Sequence, residues 1–569
     1  MGRGGGRFPH EGRGTSERRI RRRRTSSLRS DSFARNAGDS RAATAAAAAA
    51  LVLAALLPGA LTAGSARALL GIPFEAVVLV LLLVVLPWRR ARVAVAVLFG
   101  VTVVGAIVLG ALDLAFVATI DRPFQADGDW PQVVAAAGVI ADTSGPVGLG
   151  AVLVLLGAAL AALVWALAAA ALRVGRAAAA SGRAGRHVTA VVAAAWIVGA
   201  LFGSQLAPGV PLASADAARA IVGTTQQTAL GIRERQTFQR AIRDDEYGAG
   251  DRLLTALAGK DVVFAFIESY GRAAIEGSSF SGGVRRVLQT GGERLARDGY
   301  LSRSAFLSSP TFGGVSWLAH STLQSGLWVD SPQKYAQLLA SDRLTLARAF
   351  RDAGWATVDV VPSNKEDWPE GTRFYRYGSV LDSRTLGYRG PAFSYARVPD
   401  QFTWRRFHDL VLTPGHAPVM AEIDFVSSHT PWTPLPELLP WDGLGDGSVY
   451  AQQAAAGDPP VAVWQDPERV RRMYGASVQY SLGALFSYLE TFDSPDLVLI
   501  VLGDHQPARI VSGDDADHDV PITVITKDPA VMARVDAWGW QAGLLPSRVA
   551  PVWRMDAFRD RFFAAFSGG

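Results

Sequence analysis

Three short segments carry residue types that together suit chemistry at phosphorus. Glu268 closes the apolar run Asp261–Glu268 (DVVFAFIE) and precedes Ser269-Tyr270-Gly271. An acid at the end of a buried strand is costly to keep unless something binds it; a cation would do so, and so would a helix cap or an ion pair. Asp504 and His505 follow the apolar core Val498–Val501 within Leu502-Gly503-Asp504-His505-Gln506-Pro507. Adjacent Asp and His offer one oxygen and one imidazole nitrogen to a single ion, a mixed set suited to Zn²⁺ or Mn²⁺, although a turn with an Asp cap and a surface His has the same spelling. In Gly313-Gly314-Val315-Ser316 two glycines permit a tight turn at a helix start. Backbone N–H groups and the helix dipole favour a phosphate there, while a plain capped turn is the simpler alternative. Taken together, an acid, a hydroxyl and an Asp-His pair are what a metal-activated alcohol nucleophile requires.

These residues need a scaffold, and from about residue 255 the pattern supplies one. Asp261–Glu268, Ala356–Val361, Val419–Phe425, Leu497–Gly503 and Val520–Thr526 are short β-branched or aromatic runs of buried-strand type, and helical patterns such as Leu344–Ala353 and Val470–Leu489 lie between them. The alternation predicts an α/β domain over 255–569 with a largely parallel central sheet, in which ligands bind beyond the carboxyl ends of strands.

The preceding half is of a different kind. The chain is 49% hydrophobic, its mean hydropathy is +0.18 and it has no cysteine, which excludes disulfides, thiolate metal sites and a cysteine nucleophile. Five apolar stretches succeed one another: Ala42–Ala66, Ala68–Trp88, Val93–Leu112, Ser144–Leu172 and Val188 to about Leu206. Each approaches or exceeds the roughly 20 residues that cross a bilayer, so 42–207 is expected to be a five-helix transmembrane bundle. Residues 1–41 hold twelve Arg against four acids, including the run Arg18–Arg24 broken only by Ile20. That composition predicts a disordered basic arm at the cytoplasmic membrane surface rather than a nucleic-acid binder. The overall charge of +5 belongs to this arm, and the rest of the chain is net acidic.

With the arm inside, the inner loops carry Arg89, Arg90, Arg92, Arg173, Arg176, Arg183 and Arg186, and the outer loops only Arg67 and Arg122. Five crossings then leave the α/β domain outside the cell. The outer loop Asp113–Asp142, with Asp121, Arg122, Phe124, Asp129 and Trp130, is a connector that could also help present a lipid headgroup. Residues 208–254 are expected to be a linker whose 215–245 portion forms an amphipathic helix along the membrane surface.

On "FIESYG", the Gly-Gly-x-Ser turn and "GDH", the region 255–565 resembles the sulfatase/alkaline phosphatase superfamily, specifically its membrane-anchored lipoteichoic acid synthase and phosphoethanolamine transferase branch. The resemblance implies Glu268, Ser316, Asp504 and His505 as ligands of one divalent ion, Mn²⁺ or Zn²⁺, with Ser316 as catalytic nucleophile at the family's ten-residue spacing from Gly326. It also implies His429, in "SSHTPW", as a phosphate contact. That branch commonly has threonine where this chain has Ser316, and Thr311 and Thr322 lie off register. The family's headgroup-gripping Arg and Trp have no clean counterpart; "DWPEGTRFYRYG" offers Trp368 and Arg373. Sulfatases make formylglycine in a motif with Pro at +2 and Arg at +4, and here those places hold Leu318 and His320, which disfavours sulfate-ester hydrolysis.

What the resemblance implies is a cell-membrane transferase that moves a phosphoglycerol or phosphoethanolamine-type headgroup from a phospholipid donor to a glycan or lipid hydroxyl, without nucleic acid. An extracytoplasmic hydrolase of phosphate or sulfate esters and a catalytically silent sensor are the alternatives.

Overall fold

The computed structural model describes residues 41–248 and 252–568, side chains of 135–146 aside; the basic arm lies outside the described residues. The chain divides into two compact units. One comprises the chain up to Leu114 together with Pro131–Gln226, and the other comprises Ala115–Trp130 and Gln227–Gly569.

In the first unit, α1 (Arg41–Ala63), α3 (Arg89–Ile120), the Val147–Ala180 part of α4 (Trp130–Ala180) and α5 (Gly182–Leu201) are long and apolar enough to cross a membrane. The second apolar stretch behaves differently. Its helix, α2 (Phe74–Val85), has 12 residues and so a length of about 18 Å, short of the roughly 30 Å hydrocarbon layer. The cause is local: Pro73 caps its start, and Pro87 follows its C-cap Leu86, and proline neither donates in nor continues a helix. Four long helices and one short one thus stand where five equal spans were expected. The amphipathic segment forms α6 (Asp216–Arg243).

The second unit is built on a nine-stranded sheet. In chain order its strands are β1 (Asp261–Ile267), β2 (Leu301–Ser308), β3 (Ala356–Val361), β4 (Ser379–Asp382), β5 (Val419–Phe425), β6 (Leu497–Gly503), β7 (Asp519–Thr526), β8 (Gln541–Ala542) and β9 (Val552–Arg554). Their spatial order is β8-β2-β7-β6-β1-β5-β3-β4, with β9 added parallel to β2. The run β6-β1-β5-β3-β4 is parallel, and β7 joins β6 and β2 antiparallel. β1 and β6 are buried along their whole length, as strands covered on both faces must be.

Alternate residues feed two separate cores. Val263, Ala265 and Ile267 of β1 face a layer containing α7 (Ser281–Arg297) and α9 (Pro467–Thr491). Val262, Phe264 and Phe266 face α8 (Ser316–Ser325) and the C-terminal helix Phe558–Phe566. The parallel strands end together, so the segments following β6, β1 and β5 emerge side by side.

Candidate active site

Gly503 and Ile267 are paired residues at the ends of β6 and β1, so Asp504 and Glu268 leave the sheet as neighbours. The nucleophile candidate arrives from a strained turn. Gly313 has φ 69°, and Val315 is held left-handed at φ 60° and ψ 43° immediately before Ser316 opens α8. For a β-branched residue that conformation costs about 1–3 kcal/mol and survives only where the surroundings enforce it. At the other end of α8, Gly326 provides a left-handed C-cap at φ 64°.

Ser316 Oγ lies 3.0 Å from Glu268 Oε2 and 3.2 Å from His505 Nε2. His505 Nε2 is 3.3 Å from Glu268 Oε1 and 3.5 Å from Asp504 Oδ2. Asp504 Oδ1 accepts the backbone N–H groups of Ser269 and His505, both at 2.7 Å. The Gln506 carbonyl faces His505 Nδ1 at 2.8 Å, which fixes the ring so that Nε2 points inward. The same carbonyl accepts the Gly313 N–H at 2.8 Å, tying the nucleophile turn to the Asp-His segment.

These groups fit one divalent ion. Donor atoms of Glu268, Asp504 and His505 lie within 4.8 Å of one another. Asp504 Oδ2 is buried without any hydrogen-bond partner, a costly state for a carboxylate oxygen unless a cation takes it. Burial works against ionising Glu268, but the electrostatic influence of the nearby His429 and the hydrogen bond and charge of His505 outweigh it and hold that carboxyl well below the usual range. Asp504 moves oppositely: burial and the Glu268 charge push it up to about 6.

The site opens into a cavity of about 790 Å³. His429 lines it, stacked on Tyr395 with ring centroids 3.6 Å apart. Trp368 also lines it, but Arg373 is exposed and lines a neighbouring cavity of about 620 Å³. The geometry brings Glu268, Ser316, Asp504 and His505 together, sets His429 and Trp368 on the lining of the same cavity, and leaves Arg373 outside it.

One feature had gone unread in the sequence: Asp359, Glu422, Asp424 and His320 share the cavity with Ser316, and the acids interrupt runs that were read only as buried strands. The segment Ala115–Trp130, read as a connecting loop, makes contacts the sequence did not show. Asp121 pairs with Arg509, and its other oxygen is 3.3 Å from His518 Nε2. A Cβ at Gly313 would strike the Thr119 carbonyl, so the segment packs directly on the nucleophile turn. Phe116, Phe124 and Trp130 stack edge to face at 5.2 Å, and a buried Arg122–Asp129 pair at 2.6 Å stiffens the loop.

No family model matches the chain, and no curated protein does. Among solved structures it is similar to the integral membrane lipooligosaccharide phosphoethanolamine transferase A of Neisseria meningitidis, at 12% identity over 91% of this chain and 95% of that one, with a TM-score of 0.45. It is also similar to the Listeria monocytogenes lipoteichoic acid synthase LtaP, at 14% identity over 50% and 70% of the two chains, TM-score 0.34. The third is the Streptococcus pyogenes phosphoglycerol transferase GacH in complex with sn-glycerol-1-phosphate, at 11% identity over 58% and 79%, TM-score 0.35. At such identities what this cavity does has to be read from its own geometry.

Proposed function

We propose that this chain is a membrane-anchored transferase that moves a phospho-headgroup from a membrane phospholipid to a hydroxyl of a glycan or lipid, through a covalent ester on Ser316. The observation that carries the reading is Ser316 Oγ within hydrogen-bond reach of both Glu268 and His505 on the lining of a cavity large enough to hold a headgroup. The arginine asymmetry supports an extracytoplasmic catalytic domain, which requires α2 with its extended flanks to complete a fifth crossing.

Glu268, Asp504, His505 and Ser316 would hold a divalent ion, Mn²⁺ or Zn²⁺. When bound, such an ion lowers the hydroxyl pKa and offsets charge on the phosphoryl oxygens. Ser316 Oγ gives up its proton to solvent in the open cavity and attacks the phosphorus. The bond from phosphorus to the diacylglycerol oxygen breaks, and that oxygen takes up a proton as diacylglycerol leaves. The acceptor hydroxyl then attacks the same phosphorus from the cavity side, and Ser316 Oγ departs and recovers a proton. His429, on the cavity wall, steadies the phosphoryl oxygens through both steps.

The test uses full-length protein with headgroup-labelled phosphatidylethanolamine or phosphatidylglycerol and a glycan acceptor. Diacylglycerol release that depends on Ser316, with label appearing on the acceptor, is expected. Label released only to water would instead make the protein a hydrolase.

A further inference from the structure

Beside Ser316 the cavity wall is acidic in a way the transfer steps do not use. Asp359 of β3 and Glu422 of β5 are direct cross-strand partners, and Asp424 follows on the same face, the one covered by α8. Like charges directly opposite one another destabilise a sheet. On β1 the residues in register with Glu422 and Asp424 are Phe264 and Phe266, so the acids replace what is otherwise core.

One imidazole stands against these three carboxyls. His320 Nδ1 lies 2.8 Å from Glu422 Oε1 and 3.4 Å from Asp424 Oδ1. Gln324 Nε2 and the Tyr377 hydroxyl, the latter at 2.7 Å, donate to Glu422 Oε2. Asp359 is only 4% exposed, lines the cavity, and among the described residues has no hydrogen-bond or ion-pair partner. Asp424 Oδ1 is buried and makes no hydrogen bond. Asp359 is thus a buried acid without a side-chain partner, which is costly when ionised; it stays neutral, as its raised pKa allows, or meets a positive group from the cavity.

The other lining residues indicate which kind of cation. Tyr335, Trp368, Tyr375, Tyr377 and Tyr395 line the same cavity, and aromatic faces beside carboxylates suit an organic ammonium. A bare metal ion would engage only the His320-Glu422-Asp424 corner, whose donor atoms lie within 4.8 Å of one another, and would leave Asp359 without a role.

We infer that this wall is a subsite for an ammonium group on the donor headgroup, so that the enzyme takes an aminoalkyl phosphate in preference to a polyol phosphate. The inference rests on Ser316 as the point of attack, as proposed above. His320 lies four residues beyond Ser316 on α8, about one turn or roughly 6 Å along the axis, which is near the reach of a short aminoalkyl chain from its phosphorus. The wall makes and breaks no bond; it fixes the headgroup while the phosphorus reacts.

Full-length protein in dodecyl-maltoside mixed micelles is given phosphatidylethanolamine or phosphatidylglycerol at equal mole fraction. The amine donor is expected to have a kcat/KM at least about tenfold higher, and Asp359→Asn and Asp424→Asn, tested separately, are each expected to lower that ratio by about tenfold. Equal use of the two donors, or variants that slow both equally, overturns the subsite. A turnover-independent arm separates this from the transferase reading: calorimetry of O-phosphoethanolamine and glycerol phosphate on Ser316→Ala protein, with and without Asp359→Asn. Tighter binding of the amine that Asp359→Asn abolishes supports the subsite even if no lipid is transferred, and equal binding overturns it. Elemental analysis showing a second divalent ion per chain, lost in Asp424→Asn, also overturns it by assigning the wall to a metal.

Discussion

The cavity holds two clusters of histidine and carboxylate that look alike in composition and differ in construction. Glu268, Asp504 and His505 sit just beyond the ends of β1 and β6, on backbone free to turn, with a hydroxyl 3.0–3.2 Å away and Asp504 anchored by two backbone N–H groups. Asp359, Glu422 and Asp424 sit within β3 and β5, where the pleat fixes their direction, with rings around them, while Ser316 Oγ bonds instead to Glu268 and His505. Strand-end loops can converge on one point, as a metal and an attacked phosphorus demand. In-strand residues form a wall, which suits holding a group that does not react. On the proposed reading, the same side-chain chemistry divides into a reacting site and a recognising one according to where on the sheet it is mounted.

The largest effect that would sharpen this contrast is at Ser316. Ser316→Ala should abolish headgroup transfer, by on the order of 10³-fold or more, while leaving binding of a headgroup analogue in place. Asp504→Asn should come next: it removes a donor from the reacting cluster, and metal content should fall with activity, by about 100-fold in affinity, as read by metal titration. A wild-type metal affinity in Asp504→Asn would break the distinction between the clusters. Changes in the acidic wall should instead alter donor choice and spare metal content.

pH separates them further. Burial pushes the Asp424 carboxyl up to about 7 against the His320 charge, with Glu422, Glu268 and Asp504 adding to the rise. The buried Asp359 is raised as well, by burial and then by Asp424 and Glu422. An acid with a raised pKa is neutral below that value and charged above it, so affinity for an amine headgroup should strengthen as pH rises through about 7. Affinity for glycerol phosphate should lack that step, and calorimetry across this range reads the difference. The smallest effect concerns the loop. Asp121→Ala should lower kcat about threefold to tenfold, roughly 1 kcal/mol, with little change in KM, because it loosens the turn that presents Ser316 without touching the donor. An equal change in KM would place Asp121 in donor binding instead.

Much of the Glu268, Ser316, Asp504 and His505 cluster was legible because it lies at punctuation. Glu268 and Asp504 end apolar runs, and Ser316 follows two glycines, so composition changes sharply at each. The recognising wall was hidden for the opposite reason. Asp359, Glu422 and Asp424 lie inside β-branched or apolar runs, and a run is read for its majority. The signal was there, since an acid in a strand buried on both faces is expensive, but its partner lay 63 residues away along the chain, across the Asp359↔Glu422 pairing. The contact of Asp121 with Arg509 and His518 spans still more sequence and has no local pattern at all. The shortness of α2 was legible in Pro73 and Pro87, which bracket it; hydropathy alone runs straight past them. Arg373 lines a neighbouring cavity that shares Trp368 and Asn364 with the first, so the motif placed it beside the Ser316 cavity rather than in it.

Mass spectrometry of the full-length protein quenched during turnover with phosphatidylethanolamine is the most direct test. The account predicts a single adduct on the peptide containing Ser316, of the mass of one aminoethyl phosphoryl group, absent from Ser316→Ala. Transfer that proceeds with no adduct, or with the adduct on another residue such as Thr311 or Thr322, would contradict it.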